Sequence, residues 1–115
     1  MIERPVRLPA TLDPLRVPEL VEGACDALGL VVSLRGTLRQ YAGCLHWHCK
    51  RGKSPGTLEV TWWPRERRLW LSVQAGRQAE WTNGALGQLA AALAARLSEH
   101  ACNPAAAPES KQPSD

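Results

Sequence analysis

The stretch LHWHCKRGKSPGTLEVTWWPRERRLWLSV, residues 45–73, alternates apolar and polar side chains with a period of two. That period is the signature of strands with one buried face. Extended to residues 30–75, the pattern predicts four strands. On one parity lie Leu30, Val32, Leu34 and Leu38, then Leu45, Trp47 and Cys49, then Leu58, Val60 and Trp62, then Leu69, Leu71 and Val73. On the other lie Ser33, Arg35, Thr37 and Arg39, then Cys44, His46, His48 and Lys50, then Thr57, Glu59, Thr61 and Trp63, then Arg68, Trp70, Ser72 and Gln74. The first parity is core. The second is mixed, and function belongs on it.

Register follows from the turns, because a slip of one residue would carry every side chain to the wrong face. A turn at Pro64–Arg67 sets Trp62 by Leu69, Val60 by Leu71, Trp63 by Arg68 and Thr61 by Trp70. The breaker-rich turn Arg51–Gly56 sets Trp47 by Val60, His48 by Glu59 and His46 by Thr61. A turn at Gln40–Gly43 sets Arg35 by His48 and Thr37 by His46. The expected outer face therefore carries the rows Arg35–His48–Glu59–Ser72, Thr37–His46–Thr61–Trp70 and Arg39–Cys44–Trp63–Arg68, with neighbours about 5 Å apart.

Outside the sheet, residues 1–16 hold three prolines and no period, and read as an irregular arm. Pro18 suits the first turn of a helix, Val17, Leu20, Val21, Ala24 and Leu28 give its apolar stripe, and Gly29 its left-handed cap. A second helix begins near Thr82 or Asn83, shows Leu86, Leu89, Leu93 and Leu97 at helical spacing, and fades by His100. Residues 101–115, with Pro104, Pro108 and Pro113, read as a disordered tail. The expected architecture is one α+β domain at 17–100: helix, four-stranded antiparallel meander, helix, both helices on the same sheet face.

With 115 residues there is room for one core. The N-terminus has no apolar run resembling a signal peptide, and no stretch approaches the roughly 20 apolar residues of a membrane helix. Cys44 and Cys49 point to opposite faces and Cys25 to the buried side of a helix, so the four cysteines do not suggest a disulfide framework. A reducing, cytoplasmic setting is expected. The formal charge is +3, but residues 35–77 hold nine Arg and Lys against Glu59 and Glu66, a local surplus of +7. Such an asymmetry favours an anionic partner; its structural counterpart is a set of charges that keep sheet edges soluble.

Three kinds of chemistry fit the outer parity. The first is nucleic-acid binding: Trp63 and Trp70 as stacking platforms, with Arg35, Arg39, Lys50, Arg51, Lys53 and Arg68 for phosphate. The same face could instead meet an acidic protein or a second copy of the chain, and Trp63 over Arg68 could be a cation–π pair serving structure alone. The second is a transition-metal site, with His46 and His48 two apart on one strand, Glu59 across from His48, and Cys44 as a further donor. A polar His48–Glu59 cross-strand pair is its structural counterpart. The third is catalysis, Cys44 with His46 or the His46–His48–Glu59 group, but no glycine-rich phosphate loop or nucleophile elbow accompanies it, and Gly52-Lys53-Ser54 lacks the first glycine of a phosphate loop and its following helix. The chain therefore reads as a binding module that needs no cofactor. In its order of elements it resembles the double-stranded-RNA-binding domain and the single-strand-binding folds with an open sheet. It has one strand more than the former, and Thr82–Leu86 contains no lysine cluster, so the resemblance assigns no residue a role.

Overall fold

The computed structural model describes residues 1–101. Of the expected tail, everything after Ala101 lies outside the described residues, as does Cys102. The elements are β1 (Ile2–Val6), α1 (Val17–Ala27), β2 (Val31–Gly36), β3 (Leu45–Lys50), β4 (Leu58–Trp63), β5 (Arg68–Val73) and α2 (Thr82–Glu99), with 3-10 turns at Pro14–Arg16, Pro64–Glu66 and Ala75–Arg77. The strands form one antiparallel sheet in the order β1-β5-β4-β3-β2. The class is the expected mixture of helices and antiparallel sheet.

The first correction is the fifth strand. Part of the supposed irregular arm is β1, paired with β5 from Ile2 opposite Val73 to Val6 opposite Leu69. Pro5 cannot donate to a ladder, which confines such a segment to an edge, and among the described residues β1 has β5 as its only neighbour. Only Ile2 and Val6 turn apolar side chains toward the helices, with Arg4 between them, so the alternation is too sparse to read.

The second correction is at β2. The register shifts between Val32 and Leu34, leaving Ser33 as a bulge. One extra residue inverts the parity of everything beyond it. Leu34 thus lies opposite His48 and is exposed, whereas Arg35 lies opposite Trp47 on the helix side, where its guanidinium meets Glu22 of α1 at 3.1 Å. The strand ends at Gly36, and residues 37–44 form a loop rather than more strand and a tight turn.

The remaining pairings follow the predicted register: Trp47 with Val60, His48 with Glu59, His46 with Thr61, Val60 with Leu71, Thr61 with Trp70, and Trp63 with Arg68. Both helices lie on the apolar face. Trp47, Val60, Trp62 and Leu71 are fully buried there against Leu20, Val21 and Ala24 of α1 and Leu89, Leu93 and Leu97 of α2. The one polar atom of Trp47 is not orphaned, since its indole N–H donates to Glu22 at 2.9 Å. Gly29 adopts φ 72° and ends α1 as expected. The thiols of Cys25 and Cys49 meet at 3.5 Å in this core. The hydrogen bond they share, together with burial, holds Cys49 far above the ordinary thiol range. Among the described residues no helix is long and apolar enough to cross a membrane.

Candidate metal centre

The centre of the outer face is covered, while its edges at Glu3, Pro5 and Leu34 are exposed. Its cross-strand rows run Glu3–Ser72–Glu59–His48–Leu34 and Pro5–Trp70–Thr61–His46–Gly36. Over the second row folds the 37–44 loop. Tyr41 sets its ring 5.0 Å from Trp63 and edge-on, 5.1 Å, from Trp70, and the Trp63 indole N–H donates to the Ala42 carbonyl at 3.0 Å. Cys44, the last residue of this loop, is buried, its sulfur accepting the Leu38 N–H at 3.2 Å. The consequence is unusual for a polar face: His46 is 5% exposed, Glu59 3% and Trp70 6%.

At the centre of that face Glu59 gathers both histidines. Its Oε1 lies 3.2 Å from His46 Nε2 and its Oε2 lies 4.0 Å from His48 Nε2. The donor atoms of the three side chains all fall within 4.8 Å of one another. His46 Nδ1 meets the Thr61 hydroxyl at 2.8 Å. Burial holds His46 below the ordinary imidazole range, while the nearby Glu59 carboxylate pulls it up and loses. The ring is therefore neutral near pH 7. It donates Nε2–H to Glu59 and accepts from Thr61 at Nδ1, because a hydroxyl serves as either donor or acceptor. That Nε2 proton is the one a metal ion would replace, with Thr61 turning to accept from Nδ1.

Two further residues complete the surroundings. Arg77, from the 3-10 turn after β5, places Nη1 3.5 Å from Glu59 Oε2 and 3.3 Å from His48 Nδ1. Gln74 donates to Glu59 Oε1 at 3.4 Å. The buried carboxylate is thus neutralised by a cation that is itself half-exposed. A cavity of about 100 Å³ opens beside His46 and Glu59, walled by Tyr41, Trp70, Ser72 and Gln40.

The residues expected to bind nucleic acid are not brought together. Arg35 is on the opposite face, paired with Glu22. Arg51 stacks over Trp81 at 5.4 Å, Lys50 contacts Thr57, and Arg68 lies over Trp70 at 4.8 Å. That last pair replaces the expected Trp63–Arg68 cation–π contact, although the two residues are register partners. Arg39 and Lys53 are exposed. Trp63 is half-buried and Trp70 buried, each packed against Tyr41. Arg77 and Tyr41 are the site residues that sequence reasoning missed. Both reach the site from non-repeating segments, where periodicity carries no signal. Comparison with protein-family models, with curated proteins and with solved structures yields no match.

Proposed function

We propose that this protein binds a first-row divalent transition-metal ion, zinc or one of similar preference, through His46, His48 and Glu59. The single observation that supports it most is the convergence of two imidazoles and a nearly inaccessible carboxylate within 4.8 Å on adjacent strands. Imidazole and carboxylate form a donor set suited to such ions. With metal–ligand distances near 2.1 Å, donors sharing an ion stand roughly 3–3.5 Å apart, so the widest pair closes by about 1.5 Å. His48 is partly exposed and can turn to do so. Cys44 is not in the set; its sulfur is engaged by the Leu38 backbone. Three protein ligands leave a coordination position for water or a small ligand, and the neighbouring cavity gives it room. Calorimetric titration with zinc, and visible spectroscopy with cobalt(II), test this. One ion per chain is expected, lost in Glu59→Gln and in His46→Ala and kept in Cys44→Ser. Binding that survives the first two substitutions, or no binding at all, refutes the proposal.

A second reading, nucleic-acid binding, is supported by a cleft of about 430 Å³ at the β1–β5 end of the sheet, where Arg7, Arg67 and Arg68 line the wall beside Trp70. This larger cleft lies apart from the His–Glu cluster. Two of its arginines are already used: Arg67 donates to the Pro9 and Leu12 carbonyls, and Arg68 caps Trp70. A phosphate there competes with internal partners, which is why the metal reading stands first. A labelled-oligonucleotide titration at low and moderate salt tests it. Binding whose salt slope flattens by about one unit in Arg68→Ala supports it, and absence of any mobility change at high micromolar protein ends it.

A further inference from the structure

Cys25 and Cys49 come from different layers of the fold. Cys25 sits on the inner side of the last turn of α1 and Cys49 near the end of β3, and both are 0% exposed. Their sulfurs stand 3.5 Å apart, in hydrogen-bonding contact and well beyond the roughly 2.05 Å of a disulfide bond. Cys44 provides an internal contrast. It is equally buried, but its sulfur faces the backbone of Leu38, with no second sulfur beside it among the described residues. Burial alone therefore does not account for the juxtaposition of the other two.

We propose that Cys25 and Cys49 are an oxidation site that takes hydrogen peroxide and closes to a reversible disulfide, locking α1 onto the sheet. In the first step one sulfur attacks a peroxide oxygen; the O–O bond breaks, a sulfenic acid forms, and water leaves with the thiol proton. In the second step the other sulfur attacks the sulfenic sulfur; the S–S bond forms, the S–O bond breaks, and a second water leaves with the remaining thiol proton. The two sulfurs together give up two electrons, and the two peroxide oxygens receive them. Joining the sulfurs requires about 1.5 Å of approach to reach the 2.05 Å bond, a displacement that side-chain rotation and a small helix shift supply. Both sulfurs are buried, so the oxidant reaches them through local opening: Cys25 lies in the terminal turn of α1, and terminal turns open far more readily than helix centres.

The site is independent of the metal reading, and its test keeps EDTA present to separate the two. The full chain carrying Cys44→Ser and Cys102→Ser is treated with hydrogen peroxide well below its melting temperature, denatured, alkylated and digested with trypsin. Cys25 then lies in the peptide 17–35 and Cys49 in the peptide 40–50. The expected result is one cross-linked species, two hydrogens lighter than the sum of those peptides, and a Tm raised by about 10 °C, because the link closes a loop of about 25 residues. Reduction by dithiothreitol restores the original Tm. Complete alkylation of both thiols, sulfinic acid at either one, or an unchanged or lowered Tm in the cross-linked protein overturns the proposal. Cys25→Ala and Cys49→Ala, added singly to that background, supply the second check. Whichever variant folds must show no peroxide-dependent rise in Tm, and the same rise in either would overturn the assignment.

Discussion

The two faces of the sheet are made by alternate residues of the same strands, yet they are buried by different means. On one face Trp47, Val60, Trp62 and Leu71 meet two helices whose apolar stripes fit them. On the other, His46, Glu59, Thr61, Ser72 and Trp70 are buried almost as deeply, with no helix over them among the described residues. A loop, one tyrosine and one arginine provide the cover there. The first face is closed mainly by apolar area, with the Trp47–Glu22 hydrogen bond as a polar tie. The second is closed around polar atoms that must each find a partner. If the first face governs stability and the second the proposed metal chemistry, substitutions on the two faces should separate these properties.

The largest effect belongs to the helix-covered face. Trp47→Ala should lower stability by about 3–5 kcal/mol as a core truncation, seen in thermal or denaturant unfolding. An unchanged Tm would show that the faces have been assigned the wrong way round. Tyr41→Ala, which removes the lid of the other face, should cost about 1–2 kcal/mol, since Tyr41 is only half-buried and its losses are two aromatic contacts and part of their burial. Its sharper readout is tryptophan emission, shifted to the red and more accessible to quencher as Trp70 gains solvent. A loss as large as that of Trp47→Ala would erase the distinction between the two covers.

Arg77→Ala sharpens the comparison further. Glu59 and His48 would lose a guanidinium that repels an incoming cation, so zinc affinity should rise, by roughly fivefold. Stability should fall by about 1–2 kcal/mol: the arginine is half-exposed and screened, but the Glu59 carboxylate it leaves behind is buried. If Arg77 were only a structural counterion, zinc affinity would not move. The smallest effect is on pH. His46 is held neutral in the fold below its ordinary pKa, while the unfolded chain takes up a proton below about pH 6.5. Its contribution is therefore complete above about 6.5 and is lost as pH falls from there through the folded value. For metal-free protein between pH 7.5 and 5.5, the Tm should decline on acidification, and less steeply in His46→Gln. The groups facing the ring are Glu59, His48, Arg77 and Thr61.

The legibility of these features in the sequence follows the same division. The ladders β3–β4 and β4–β5 could be read residue by residue because an unbroken alternation and short turns leave only one register that keeps apolar with apolar. The placement of His46, His48 and Glu59 on one face came with it. Ser33 could not be recognised as a bulge, since the alternation Leu30, Val32, Leu34 continues smoothly through it while the backbone does not. β1 stayed hidden because Pro5 and the charges of Glu3 and Arg4 outweigh two apolar residues. The burial of Trp70 could not be foreseen either: it depends on where an eight-residue loop folds, and neither composition nor period encodes that. Cys25 and Cys49 were each readable as inward-facing, but which helical residue falls over which strand residue is set by docking of α1, outside the reach of a pattern.

The pairing of β1 with β5 has a consequence for how the molecule is made. Ile2 pairs with Val73, so this ladder closes a loop of about 70 residues, whereas the β3–β4–β5 hairpins need only short turns. Closing a long loop is entropically slower than zipping a hairpin. During synthesis β1 emerges before the other strands of this sheet and must wait, unpaired, until β5 has emerged. The amino-terminal segment is then the final piece to join, and the floor beneath the His–Glu cavity is completed only once it has done so.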